Sequence, residues 1–156
     1  MYHLYEQEDQ LLALKEAVRV TKSGGVIMTA FLSIHAIMHD DYLQGNFVAG
    51  FKERNGKDAD LEFDQHFLLS LVAPRVLCIG SATEDLWADP KGEFLAGVHA
   101  SEVYQLFGVR GMPVTEHPAA DVNVTGEVSY HLRTGKHNIL WQDWDHYLSA
   151  AEKFFY

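Results

Sequence analysis

Apolar residues at helical spacing open the chain. Leu11, Leu14, Ala17 and Val18 recur between the acids Glu6, Glu8 and Asp9 and the bases Arg19 and Lys22, a charge order that complements the helix dipole. Ser23-Gly24-Gly25 stops this helix, and Val26 to Leu32 reads as a buried strand. A second helical stretch runs from Ser33 to about Leu43 on Ile34, Ile37 and Met38. From Gly50 to Glu62 the chain turns polar, which predicts an exposed connector. Asp64 then has the position of an N-cap for a helix over Gln65 to Val72, closed by Pro74. Arg75 to Ser81 predicts a strand, and Asp89-Pro90 opens a helix through Phe94, Val98, Val103 and Leu106. Gly108 to Val124 is loop-like, and Glu127 to Leu132 is a short strand. Trp144, Tyr147, Leu148, Ala151 and Phe155 mark a final amphipathic helix, with Trp141 and Trp144 expected to pack its core side. Strands alternate with helices, so the class is α/β.

Composition narrows this picture. The 156 residues suit one domain with a real core, and 47% hydrophobic content argues against disorder. The chain is nevertheless short for a doubly wound α/β enzyme, which by domain-size priors runs to ~200 residues or more. A net charge of −10 and the lack of a basic stripe speak against nucleic acid as a partner. The single cysteine, Cys78, reads as a small core residue. The start shows no signal-peptide pattern, and no apolar run is long enough to span a membrane.

The chemistry concentrates in two places. Ser81-Ala82-Thr83-Glu84-Asp85-Leu86-Trp87-Ala88-Asp89-Pro90 follows a buried-strand pattern, and Gly135-Lys136-His137-Asn138 follows another before the last helix. Acid then histidine is the chain order of an α/β-hydrolase triad, whose histidine takes the nucleophile's proton while the carboxylate fixes its tautomer. The Gly-x-Ser-x-Gly elbow that should precede them is not in the sequence. Serines 33, 70, 81, 101, 129 and 149 all lack the elbow glycines. His35 and His39 stand four apart beside Asp40 and Asp41, but the glutamate of a zincin helix is missing, and a polar helix face is the default there. No metal and no cofactor are expected. Glu84 reads as solvated charge, Asp89 as a helix cap, His66 as a buried hydrogen-bonding group, and Arg75 as an anchor for a carboxylate or carbonyl.

Two family resemblances cover the chain. In residues 1–50, Tyr2-His3-Leu4-Tyr5, the run Ala13 to Lys22 and Gly24-Gly25-Val26-Ile27 resemble the C-terminal half of a class I S-adenosylmethionine-dependent methyltransferase. The cofactor loop and ribose-binding acid of that family have no counterpart here. In residues 51–156, Asp64-Gln65-His66-Phe67-Leu68-Leu69, Ala73-Pro74-Arg75, Ser81 to Phe94 and Arg133-Thr134-Gly135-Lys136-His137 resemble the C-terminal part of glucuronoyl esterases. These are α/β-hydrolases that cleave the glucuronate ester between xylan and lignin. The resemblance implies His137 as triad base, Asp85 where many bacterial members carry the triad acid or a second acidic residue, and Trp87 against the glucuronate sugar. It also implies a second acidic position nearer the nucleophile, which this chain does not reach.

The reading is a composite chain, with its join near Gly50 to Lys52. A methyltransferase-like helix–strand–helix segment precedes the C-terminal portion of a three-layer α/β/α hydrolase sheet that carries acid and histidine without the serine. It should be inactive alone. The partner implied is a glucuronate-ester carbohydrate, and parent esterases of this kind are secreted or periplasmic. The alternative is a non-catalytic binding or structural module that self-associates through unpaired sheet edges, in which Trp87 and Arg133 retain at most weak sugar affinity. Residual methyltransferase function is the third and weakest reading.

Overall fold

A computed structural model describes residues 7–20 and 64–155. The first helix forms as expected: α1 covers Gln7–Val20, with Arg19 bound to Glu16 one turn back at 2.8 and 2.5 Å. The expected strand at Val26–Leu32, the helix at Ser33–Leu43 with His35 and His39, and the connector Gly50–Glu62 lie outside the described residues.

From Asp64 onward the elements follow one another closely. They are α2 (Gln65–Ser70), β1 (Leu77–Ala82), a 3-10 turn (Leu86–Ala88), α3 (Pro90–Leu106), β2 (Asn123–Val124), β3 (Val128–Arg133) and α4 (Trp141–Phe155). The caps act where the sequence puts them. Asp64 accepts from the Gln65 amide at 2.6 Å. Asp89 sits in the left-handed region (φ 54°), a conformation Asp tolerates better than most, and its carboxylate accepts from the Gly92 amide at 3.2 Å. Pro90 at the first helical position costs no hydrogen bond. α2 is shorter than expected, since its last turn loosens before Pro74. The expected loop before β3 ends in two residues that join the sheet as β2.

The three strands lie in the order β1-β3-β2. β1 and β3 are parallel from Leu77↔Val128 to Ala82↔Arg133, and β2 runs antiparallel to β3. β3 is the informative strand. Its sequence Val-Ser-Tyr-His-Leu-Arg alternates apolar and polar, the pattern of a half-exposed strand, yet all six residues are buried. Val128, Tyr130 and Leu132 belong to a core cluster with Phe94, Tyr104 and Met112. The polar set has partners of its own: Ser129 bonds Gly126, while His131 and Arg133 bond Asp143 of α4.

Helices therefore meet the sheet on both sides. α3 comes close enough that a Cβ on Gly97 would stand 2.8 Å from Ile79 and 2.9 Å from Met112. On the other side, the His146 and Tyr147 rings of α4 pack on His131 at 4.5 and 5.3 Å.

Two expectations about packing fail. Trp141 and Trp144 are not core residues: they are 73% and 47% exposed, with Leu148 at 58%. α4 instead turns Asp143, His146, Tyr147 and Ala150 inward, because the sheet face it meets presents His131 and Arg133. Cys78 is half-buried rather than fully enclosed. Burial still pushes its thiol pKa up, partly offset by Ser129.

Candidate functional site

The site begins where the paired strands end. The β1–β3 hydrogen bonding continues past both strands, with Thr83 N–H donating to Arg133 O and Glu84 N–H to Gly135 O, each at 2.9 Å. Gly135 N–H donates in turn to Thr83 Oγ1 at 3.1 Å. These bonds zip the acidic turn to the histidine turn. Asp85 and His137 follow within a few residues and meet: His137 Nδ1 lies 2.5 Å from Asp85 Oδ2. The carboxylate is mostly buried, at 13% side-chain exposure, and the imidazole is 74% exposed.

This geometry fixes chemistry as well as position. With Nδ1–H given to the carboxylate, Nε2 is the acceptor nitrogen and points away from Asp85. An imidazole held in that tautomer can take a proton from a nucleophile on its open side.

Gly135 makes the histidine turn possible. Its φ of +121° is a conformation L side chains rarely adopt, and a Cβ there would stand 3.0 Å from Arg133 Nη1. Gly135→Ala is expected to cost about 1–3 kcal/mol of stability and to loosen the His137–Asp85 contact. Urea unfolding together with the histidine resonances in an NMR spectrum checks both.

The remaining candidates separate clearly. Trp87 is part-buried in the 3-10 turn after Asp85, and its indole Nε1 is shut off from solvent with no hydrogen-bond partner among the described residues. Asp89 caps α3, as expected. His66 faces Asp64 at 3.4 Å and packs on Phe67 and His99, a partly exposed pairing rather than the expected buried hydrogen bond. Arg75 is exposed, and its carbonyl is the group engaged, accepting from Tyr104 Oη at 2.7 Å. Ser70, Ser101 and Ser129 donate to backbone carbonyls, and Ser81 is buried against Glu93, so these four hydroxyls serve structure.

Arg133 requires a correction. The binding-module alternative gives it at most weak sugar affinity, but it is 5% exposed and bonds inward throughout. Its Nε donates to Asp143 Oδ2 at 3.1 Å, and its Nη atoms donate to the carbonyls of Thr134, Lys136 and Asn138.

Glu93 is a site residue the sequence reading did not single out. It sits on the first turn of α3 and accepts from Ser81 Oγ. Burial raises its pKa to about 7, helped by the nearby charges of Asp85 and Asp89 and opposed by Ser81 and His137. An acid one turn into a helix that is aimed at the C-terminal end of the preceding strand was the available clue.

The described residues thus form part of an α/β fold with a carboxylate–histidine pair at the ends of two parallel strands. Known proteins give that class a particular likeness. The chain is 44% identical over 106 residues to carbohydrate esterase MZ0003 from an unknown prokaryotic organism, covering 68% of this chain and 24% of the relative. Among solved structures it is similar to a promiscuous CE15 esterase from the marine bacterial metagenome, with 45% identity, a TM-score of 0.62, and 65% of this chain matched to 26% of that one. It is also similar to the glucuronoyl esterase from Solibacter usitatus, with 38% identity, a TM-score of 0.64, and 73% of this chain matched to 30% of that one. No family model matches the sequence. The chain spans about a quarter of the length of the relatives it matches, so it resembles part of a glucuronoyl esterase. These relatives lend no support to the methyltransferase resemblance of residues 1–50.

Proposed function

We propose that this chain carries the acid-and-base portion of a glucuronoyl esterase-like serine hydrolase. His137 would be the general base, Asp85 the carboxylate that orients it, and Trp87 the apolar wall for the hexuronate ring. The substrate class would be a glucuronate ester of a carbohydrate. The observation that carries this reading is the 2.5 Å contact of His137 Nδ1 with Asp85 at the strand ends, which leaves Nε2 as the acceptor. The similarity to CE15 esterases supports it. On this reading the sheet and its helices are the C-terminal part of a three-layer α/β/α sandwich, and residues 1–50 are a methyltransferase-like addition without cofactor binding.

A base and its carboxylate can activate only a nucleophile that is present, and water is a poor substitute without an oxyanion hole. The 156-residue chain by itself should therefore leave benzyl glucuronate untouched. A chimera in which residues 64–155 replace the matching part of the Solibacter usitatus esterase should hydrolyse it. His137→Ala in that chimera is expected to lower kcat/KM by about 10⁶-fold, the scale of losing the triad histidine. Turnover by the unmodified chain that depends on His137 would refute the inactivity. A chimera indifferent to His137→Ala would refute the assignment of the base.

A further inference from the structure

We propose that Arg133 is a positioning residue for His137: its guanidinium grips the turn that carries the imidazole and thereby holds it against Asp85. With a side chain 74% exposed, His137 is not oriented by packing. Its orientation depends on Asp85 at one end and on its own backbone at the other. That backbone lies beyond Gly135, the last residue whose carbonyl accepts from the partner segment, so the carbonyls on either side of His137 need other donors.

Arg133 supplies those donors. Nη2 donates to Lys136 O at 2.9 Å and to Asn138 O at 2.8 Å, the two carbonyls that flank His137. Nη1 donates to Thr134 O at 3.2 Å. Nε is committed to Asp143, at 3.1 Å to Oδ2 and 3.3 Å to Oδ1. Asp143 is fixed in turn by the Leu140 amide at 2.7 Å and by His131 at 2.8 Å. A line of short polar contacts therefore runs from the start of α4, through a buried guanidinium, to both sides of His137. The planar fork of arginine suits this task, because its five donors point in fixed directions, whereas lysine has a single nitrogen. Gly135 completes the arrangement by letting the chain wrap over Nη1 without a Cβ in the way.

The inference uses the reading of His137 as a base only for its catalytic consequence, and its test requires no activity. Arg133→Lys keeps a cation for Asp143 but cannot serve three carbonyls at once. In this variant of the full chain, NMR amide exchange over residues 134–140 is expected to quicken by about 10-fold or more, the scale of losing one or two net hydrogen bonds. Amides of β1 and β3 should keep their rates. The His137 side-chain ¹⁵N resonances should also move toward those of Asp85→Asn, in which the carboxylate is gone. Unchanged exchange and unchanged His137 resonances would overturn the proposal. So would an equal loss of protection across both strands, because Arg133 would then merely hold the fold. If Asp85→Asn leaves the His137 resonances where they were, the histidine–carboxylate pair fails, while the exchange comparison still decides the role of Arg133.

Discussion

Asp143→Ala is expected to destabilise the protein by about 3–5 kcal/mol, the range for breaking a buried ion pair by removing one partner. Asp143 is 4% exposed, and its carboxylate accepts from Arg133, His131 and the Leu140 amide. Its loss strands a buried guanidinium edge and an imidazole N–H, and it uncaps the start of α4. Burial alone would raise the Asp143 pKa, but the Leu140 amide, His131 and Arg133 outweigh it and hold the carboxyl below its usual value. That depressed pKa contributes stability above the unfolded-state value, and the contribution is lost as pH falls through the folded one. A small domain has only about 5–15 kcal/mol in total, so the alanine variant should be close to unfolding. Urea titration followed by circular dichroism measures this directly. Asp143→Asn, which keeps the cap acceptor but not the charge, should fall between the two. A loss below about 1 kcal/mol for the alanine variant would mean that solvent reaches the network freely.

The second large effect concerns Glu93, and its sign runs opposite to the usual carboxylate. The folded pKa of about 7 lies above the ordinary value of 4.5, so between these limits the native state binds the proton that the unfolded chain has released. Stability from this group therefore falls as pH rises from 4.5 to 7, by on the order of 2–3 kcal/mol. Below that window the protonated acid costs nothing. Above it the buried charge, facing Asp85 and Asp89, opposes folding throughout. Other groups slope the other way: burial lowers the His131 pKa, and Thr134 lowers that of Asp121. The informative quantity is the difference between the protein and Glu93→Gln, which stays neutral at every pH. Melting temperatures across the window should show the glutamine variant gaining steadily on the parent, with its largest advantage above pH 7. Parallel curves would place a solvated, ionised carboxylate at Glu93.

The carboxylate–histidine order was visible in the sequence because each residue follows a strand-like run and turn residues. Two parallel strands of matched register bring such turns together, so a separation of some fifty residues was no obstacle. The placement of Trp141 and Trp144 was not visible. Periodicity reports that a helix has an apolar stripe, but not which stripe a partner sheet selects. Here the sheet face is polar, and it draws in Asp143 and His146 instead. The alternation in Val128 to Arg133 contained the missing clue, since a histidine and an arginine on one face of a strand call for an acid at the start of whatever helix covers them. The weak sugar affinity that the binding-module alternative gives Arg133 does not fit its place in the structure. Its inward commitment depends on Asp143, ten positions later, which no local pattern connects to it. The segments on which the methyltransferase resemblance mainly rests lie outside the described residues, except for α1.

The extension of the β1–β3 pairing into the two turns bears on how this pair tolerates change. Asp85 lies three residues beyond Ala82, and His137 lies four beyond Arg133, the last matched pair of the two strands. The distance between carboxylate and imidazole is thus set by these two short counts, measured from a common hydrogen-bonded rung. It does not depend on the length of the 17-residue helix or of the long loop between the strands. Insertions in the exposed stretch Val114 to Glu116 would leave the pair in register, whereas one residue added after Ala82 or after Arg133 would put it out of step. The chemistry is indexed to the sheet, and the exposed part of the intervening loop is free to vary in length.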